Sequence, residues 1–266
     1  MTGIVKRVRS DGIELTVETT GKGSPLVFAH GLTSNRHRTL EELAPLERDY
    51  TIIAFDQRGH GDSTPVTDPA LYDPHRMASD MATVLDYLGI RRAIIGGESM
   101  GAATALLFCL RWPERVEKLL LTGPAFGDAL NPGHEDLKNM GRLIEEGGIE
   151  GCLAASIPEW VKIGYNEAAI AAWCEVQRTH DPTSLALACK IVADWVILPD
   201  LGAAAALDVP AQIIGWEGDP VHPLALARRL AGILPQARLC ALPGLAPVFN
   251  ESALVGRIYS EFLDGF

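Results

Sequence analysis

Apolar positions along the chain fall into two alternating rhythms. "SPLVFAHG" (24–31) and "YTIIAFDQRG" (50–59) are short continuous apolar runs closed by glycine. Runs of that kind suit central strands covered on both faces. "GIELTVETTG" (12–21) alternates apolar and polar residues and predicts an early antiparallel strand that ends in a turn. The polar stretch "TSNRHRTLEELAPLERD" carries a helical apolar spacing. In "PHRMASDMATVLDYLG", Met77, Met81, Val84, Leu85 and Leu88 share one helical face, and Gly89 is the stop. "RRAIIGGES", "MGAATALLFCLRWP" and "VEKLLLTGP" then predict strand, helix, strand. Later, "PAQIIGWEGD", "PLALARRLAGIL", "ARLCALPG" and "ESALVGRIYSEFL" repeat strand, helix, strand, helix. Repeated strand–helix units predict an α/β fold, a mainly parallel sheet flanked by helices on both faces.

Residues 128–205 interrupt that rhythm and contain no convincing strand. Leu137, Met140, Leu143 and Ile144 make one helical stripe, and Leu185, Cys189, Val192 and Val196 another. The expected organisation is a core domain of residues 1–127 and 206–266 with a helical cap (lid) of 128–205 inserted into it. The cap holds Trp160, Trp173 and Trp195.

Composition narrows the partners. Hydrophobic residues make up 47% of the 266 and charged residues 21%, enough for a large core. A formal net charge of -11, with only short basic runs such as "KRVR", disfavours nucleic acid and anionic membrane. The first residues, "MTGIVKRVRSDG", lack the apolar stretch of a signal peptide, and Asp208 and Pro210 break the one run that approaches spanning length. The five cysteines, an odd number without CxxC spacing, predict reduced thiols in a cytoplasmic protein. No metal, nucleotide or flavin motif is present, so no cofactor is expected.

"GGESMG", Gly96 to Gly101, follows an apolar strand and opens a helix, the setting that gives Gly-x-Ser-x-Gly its meaning. The turn lifts the Ser99 hydroxyl out at the carboxyl edge of the sheet, beside a positive helix end. His30-Gly31 ends a central strand, so the N–H groups of Leu32 and Met100 are the candidate oxyanion donors. His30 is expected to organise its loop beside the site. In "DQRGHGDS", Asp56, Arg58, His60 and Asp62 are expected to hold a tight turn together.

With "HG" after one strand, "DQRGHGDS" after the next and "GESMG" after the third, the chain resembles the α/β-hydrolase fold superfamily over almost its whole length. It is similar to the branch with an inserted cap: esterases, enol-lactonases, acyl-homoserine lactonases and carbon–carbon bond hydrolases. The resemblance implies a triad ordered Ser, acid, His. It places the acid at Asp219 in "AQIIGWEGDPVHP", with Glu217 as neighbouring alternative. A serine nucleophile argues against the dehalogenase and epoxide hydrolase chemistries, which need an Asp there. The family's histidine follows the last strand, a few residues ahead of a Glu. The matching Glu is Glu251, and the matching position in "LPGLAPVFNE" is Ala246. His222, three residues after Asp219, is the other candidate base.

The expectation is therefore a serine hydrolase framework for a small or medium apolar ester or lactone, its base missing at Ala246. Either a deliberate His-to-Ala change or a natural loss accounts for that, and an isolated change in a preserved framework favours the former. Trp160, Tyr165, Trp173 and Trp195, with His30 and Gly31, are the expected substrate contacts. Lys162, Arg178 and Lys190 are single cationic candidates and announce no anionic substrate. Other readings are a non-catalytic small-molecule binding protein on the same fold, or a thioesterase, carbon–carbon hydrolase or lyase.

Overall fold

The structure is a computed structural model that describes residues 3–265. Its strands are β1 (Ile4–Ser10), β2 (Ile13–Gly21), β3 (Ser24–Ala29), β4 (Tyr50–Phe55), β5 (Ala93–Glu98), β6 (Val116–Thr122), β7 (Ala211–Trp216) and β8 (Ala237–Leu242). They form one 8-stranded sheet in the order β1-β2-β4-β3-β5-β6-β7-β8. β1 and β2 join antiparallel and β2 runs antiparallel to β4; the remaining pairs are parallel.

The continuous apolar runs serve two cores at once. Successive strand residues point to opposite faces. Val27, Ile53, Ile95 and Leu119 enter one core, while Leu26, Phe28, Ile52, Ile94 and Leu120 enter the other. Helices α2 (Pro74–Tyr87) and α3 (Met100–Arg111) cover the first face, joined by α7 (Leu224–Ile233). α1 (Arg36–Leu43), α8 (Ala246–Asn250) and α9 (Leu254–Leu263) contribute to the second. On α2, Met77, Met81, Val84 and Leu85 are buried, and the Asp73 side chain caps the helix by accepting from the N–H groups of His75 and Arg76.

Between β6 and β7 the chain leaves the sheet and builds α4 (His134–Ile163), α5 (Glu167–Arg178) and α6 (Pro182–Ala193). Its two arms meet where the Ile197 N–H donates to the Gly127 carbonyl at 2.9 Å. α4 breaks at Gly148, whose φ of 65° is unavailable to most side chains at low cost. α4 and α6 pack closely because Gly141 has no Cβ; one there would lie 2.8 Å from the Ala186 carbonyl oxygen.

One strand goes unread in the sequence, and one sequence expectation shifts. The first strand, "IVKRVRS", hides behind its charge. It is an edge strand with Ile4 63% exposed and only Val8 and Ser10 buried, so its apolar signal is thin. Val196 lies beyond the end of α6 and is exposed, whereas Leu185, Cys189 and Val192 are buried on it. Among the described residues the five cysteines are free thiols, and no helix is long and apolar enough to cross a membrane.

Candidate active site

Ser99 stands between β5 and α3 with φ 53° and ψ -111°, a strained conformation for a residue with a side chain. Its neighbours hold it there. A Cβ on Gly97 would strike the Gly101 carbonyl, and a Cβ on Gly101 would strike the Ala29 carbonyl. The Ser99 N–H donates to the Thr122 carbonyl at 2.9 Å, which ties the turn to β6.

The imidazole that meets Ser99 comes from the loop after β7. His222 Nε2 lies 2.9 Å from Ser99 Oγ, placed to accept its proton. His222 Nδ1 donates to Asp219 Oδ2 at 2.7 Å. Asp219 also accepts from Trp216 Nε1 at 2.9 Å and from the Val221 N–H at 2.8 Å. Burial acts to raise the Asp219 pKa, but the hydrogen bond and charge of His222, with the Trp216 and Val221 donors, outweigh it. Its carboxyl is held well below the usual carboxylate range.

An imidazole therefore lies beside Ser99 although position 246, where the family's histidine was expected, holds Ala. Ala246 opens α8 and lines the same cavity, and the imidazole against Ser99 comes from His222 instead. A two-link chain from Asp219 through His222 to Ser99 is complete without any change at Ala246.

The loop that carries the chain is braced from the helical insertion. Asn131 Nδ2 donates to the Val221 carbonyl at 2.7 Å and to the Ala125 carbonyl at 2.6 Å. Gly133 backs onto the same loop, where a Cβ would approach the Val221 backbone nitrogen at 2.9 Å.

Leu32 follows Gly31 at the end of the β3 loop, and Met100 is the first residue of α3. Among the described hydrogen bonds neither backbone N–H has a partner. Buried polar histidines shape the Leu32 side. His30 Nε2 accepts from the Gln57 N–H at 2.9 Å, and its Nδ1 donates to the Gly31 carbonyl at 2.7 Å. Burial, with the His60 ring nearby, pushes the His30 pKa down to about 3. His60 Nε2 lies 2.6 Å from the Leu32 carbonyl oxygen. In the neighbouring turn, Asp56 pairs with Arg36, and Arg58 Nε donates to Asp80 at 2.8 Å deep in the core.

Over Ser99 opens a cavity of about 530 Å³. Its aromatic wall is one stack: Tyr165 lies on Phe249 with ring centres 4.6 Å apart, and Trp173 meets Phe249 edge-on at 4.8 Å. Trp160 continues the wall from the last turns of α4.

A family model described as the alpha/beta hydrolase fold matches residues 24–147. The chain has the α/β-hydrolase fold. Among curated relatives, the dihydrolipoyllysine-residue acetyltransferase component of an acetoin cleaving system from Cupriavidus necator is 36% identical over 128 residues, 47% of this chain and 34% of that protein. The 3-oxoadipate enol-lactonase 2 of Acinetobacter baylyi is 25% identical over 75% of this chain and 73% of its own. The match to the first of these thus spans about a third of that relative's length. Among solved structures, the enol-lactonase from Burkholderia xenovorans LB400 superposes with a TM-score of 0.82 at 23% identity, covering 97% of this chain and 100% of its own. At that identity the likeness carries the fold.

Within this fold, the residues expected at the site separate into two groups. Ser99, Asp219, Gly31, Leu32, Trp160, Tyr165, Trp173 and Ala246 border the cavity. Trp195 does not: it is buried behind the insertion, its Nε1 donating to the Tyr72 carbonyl at 3.0 Å and its ring against Phe126. His30 lies beneath the site, fully buried. The cationic candidates turn away, Lys162 to Glu159, Arg178 to Glu150 and Lys190 to Glu145. Glu217 reaches Arg228 at 3.0 Å. Sequence reasoning missed Trp216, Asn131, Phe249 and Glu98. Phe249 was within reach, because it sits in "LPGLAPVFNE", the stretch where the family's histidine is expected; Glu98 was concealed as the variable letter of its motif.

Proposed function

We propose that this protein hydrolyses a small or medium apolar carboxylic ester or lactone through an acyl-enzyme on Ser99. The observation that carries this reading is the unbroken chain Ser99 Oγ–His222–Asp219. As Ser99 Oγ attacks the carbonyl carbon, His222 Nε2 takes its proton. Asp219 keeps the ring oriented and offsets the imidazolium charge. The N–H groups of Leu32 and Met100 hold the developing oxyanion. Collapse returns the proton to the leaving alkoxide oxygen. Water then attacks the acyl-enzyme with His222 again as base, releasing the acid and free Ser99.

The helical insertion acts as a cap in this proposal. Trp160, Tyr165 and Trp173 line the cavity over Ser99 together with Phe249, which favours an apolar acyl or alcohol group. The enol-lactonase relative from Acinetobacter baylyi supports the carbonyl chemistry. The free cysteines support work in a reducing, cytoplasmic setting. The alternative of a non-catalytic binding protein rested on the missing histidine, and His222 removes that support. The test is hydrolysis of a graded panel of p-nitrophenyl esters and simple lactones by the natural chain and by Ser99→Ala. Turnover by the first and not the second is expected; equal rates, or none on any substrate, would defeat the proposal.

A further inference from the structure

Glu98 ends β5, immediately before Ser99, and its side chain lies on the cavity wall. Its carboxyl flanks the oxyanion side of the nucleophile. Glu98 Oε2 and Ser99 Cβ converge on one point, 3.4 Å and 3.6 Å from where a Cβ on Gly31 would sit. Gly31 directly precedes Leu32, one of the two candidate donors.

The charge that could neutralise Glu98 is already committed. Arg38 Nε donates to Glu42 Oε1 at 2.7 Å, both side chains nearly fully buried, and the Arg38 guanidinium lies over the Phe249 ring at 5.9 Å. The groups that face Glu98 are Arg38 and Glu42 from α1, the Gly31 backbone, Tyr165 from the insertion and Tyr259 from α9. His222 and Asp219 border the same cavity. Burial first, and then the charge of Glu42, push the Glu98 carboxyl up to about 8 against the pull of Arg38 and the Gly31 backbone.

We propose that Glu98 is a catalytic residue that acts as a neutral carboxylic acid, donating a hydrogen bond to an acceptor oxygen of the substrate beside the scissile carbonyl. This rests on the hydrolase reading of Ser99. A neutral acid adds a donor next to the oxyanion hole, whereas a carboxylate there opposes the charge that develops in the transition state. The substrate class narrows accordingly, to esters and lactones whose alkoxy oxygen or second carbonyl can accept that bond.

The test needs no natural substrate. An alkyl fluorophosphonate carrying an ethoxy group labels an activated serine: the Ser99 Oγ–P bond forms, fluoride leaves and His222 takes the serine proton. Its second-order rate constant is measured from about pH 6.5 to about pH 9.5 in the natural chain, Glu98→Gln and Glu98→Leu, with far-ultraviolet dichroism as folding control. The natural chain is expected to lose rate along a one-proton curve centred near pH 8. Glu98→Gln, which still donates through its amide, stays within a few-fold at neutral pH and lacks that curve. Glu98→Leu also lacks it and is at least about tenfold slower.

A natural chain with no alkaline fall, a Glu98→Gln chain that keeps the fall, or a Glu98→Leu chain as fast as the natural one overturns the inference. If Glu98→Leu does not fold, the comparison of Glu98→Gln with the natural chain decides alone. Ser99 left unlabelled in every chain defeats the hydrolase reading and this inference with it. Ser99 labelled without the alkaline fall defeats this inference only.

Discussion

His222 and Asp219 sit three residues apart in one loop, and the imidazole Nδ1–H of the first donates to the carboxylate of the second at 2.7 Å. In the proposed triad, acid and base are therefore aligned by a single turn rather than by the meeting of two loops. Asp219 Oδ1 accepts from the Val221 and His222 N–H groups at 2.8 Å and 3.2 Å, while Oδ2 takes the imidazole and the Trp216 indole. The turn that orients the carboxylate is the one that delivers the imidazole.

Trp216→Phe tests that alignment. The change keeps most of the buried ring and removes the Nε1–H that reaches Asp219. A hydrogen bond to a charged group is worth about 1.5–3 kcal/mol. A fall in kcat of about tenfold or more is expected, with little change in KM. Unchanged kcat on an ester substrate would show that the indole donor plays no part.

Asn131→Ala should loosen the loop from the other side. Asn131 is 2% exposed and ties the Val221 carbonyl to the Ala125 carbonyl. Its removal leaves buried carbonyls unsatisfied, at about 1–3 kcal/mol in stability. Urea unfolding should register that loss, and kcat should fall with it because His222 is the next residue in the loop.

The two buried tryptophans of the insertion should respond differently. Trp173 borders the cavity against Phe249, so Trp173→Leu should alter KM across a series of ester chain lengths. Trp195 donates to the Tyr72 carbonyl away from the cavity, so Trp195→Phe should lower the unfolding midpoint and leave KM across that series unmoved. Kinetics on the series together with thermal melts separate the two.

His180 predicts an acid-sensitive junction between insertion and core. Its Nδ1 accepts from the Gly61 N–H at 3.1 Å, and its Nε2 donates to the Thr33 carbonyl at 3.2 Å. Burial, with His60 and His30 beside it, outweighs the Thr33 backbone bond and Asp56 and pushes its pKa down to about 3 from an ordinary 6.5. The folded-state value is depressed, so between those two values the unfolded chain binds a proton that the folded chain refuses. The stability is fully present above pH 6.5 and declines as pH falls toward 3. The slope is up to about 1.4 kcal/mol per pH unit for each such histidine, and His30 adds a second. Urea unfolding across that range should show a shallower decline for His180→Gln, whose amide can keep both bonds. An identical slope would remove His180 from the account.

The sheet was legible because its strands carry dense apolar runs that feed two cores, and the Ser99 elbow because a nucleophile in a sharp turn needs Gly97 and Gly101 by sterics alone. β1 was not, since an edge strand can carry charge on its open side. The imidazole beside Ser99 was not legible for a different reason. Position along the chain pointed to Ala246, but the proposed mechanism requires only that an imidazole lie between Asp219 and Ser99, and a local turn places one there from position 222. Trp195 and Trp173 have the same residue type and the same helical setting in sequence. Only the packing of α4 to α6 on the sheet decides which one meets the cavity.

The most direct measurement is kcat/KM of His222→Ala beside the natural chain and Ala246→His, on whichever ester the panel identifies. If His222 is the base, His222→Ala loses roughly 10⁴–10⁶ in turnover while staying folded. Ala246→His then brings no gain, because the natural chain already holds its imidazole against Ser99 at 2.9 Å. A His222→Ala enzyme within a few-fold of the natural chain, or a large gain from Ala246→His, would contradict the account.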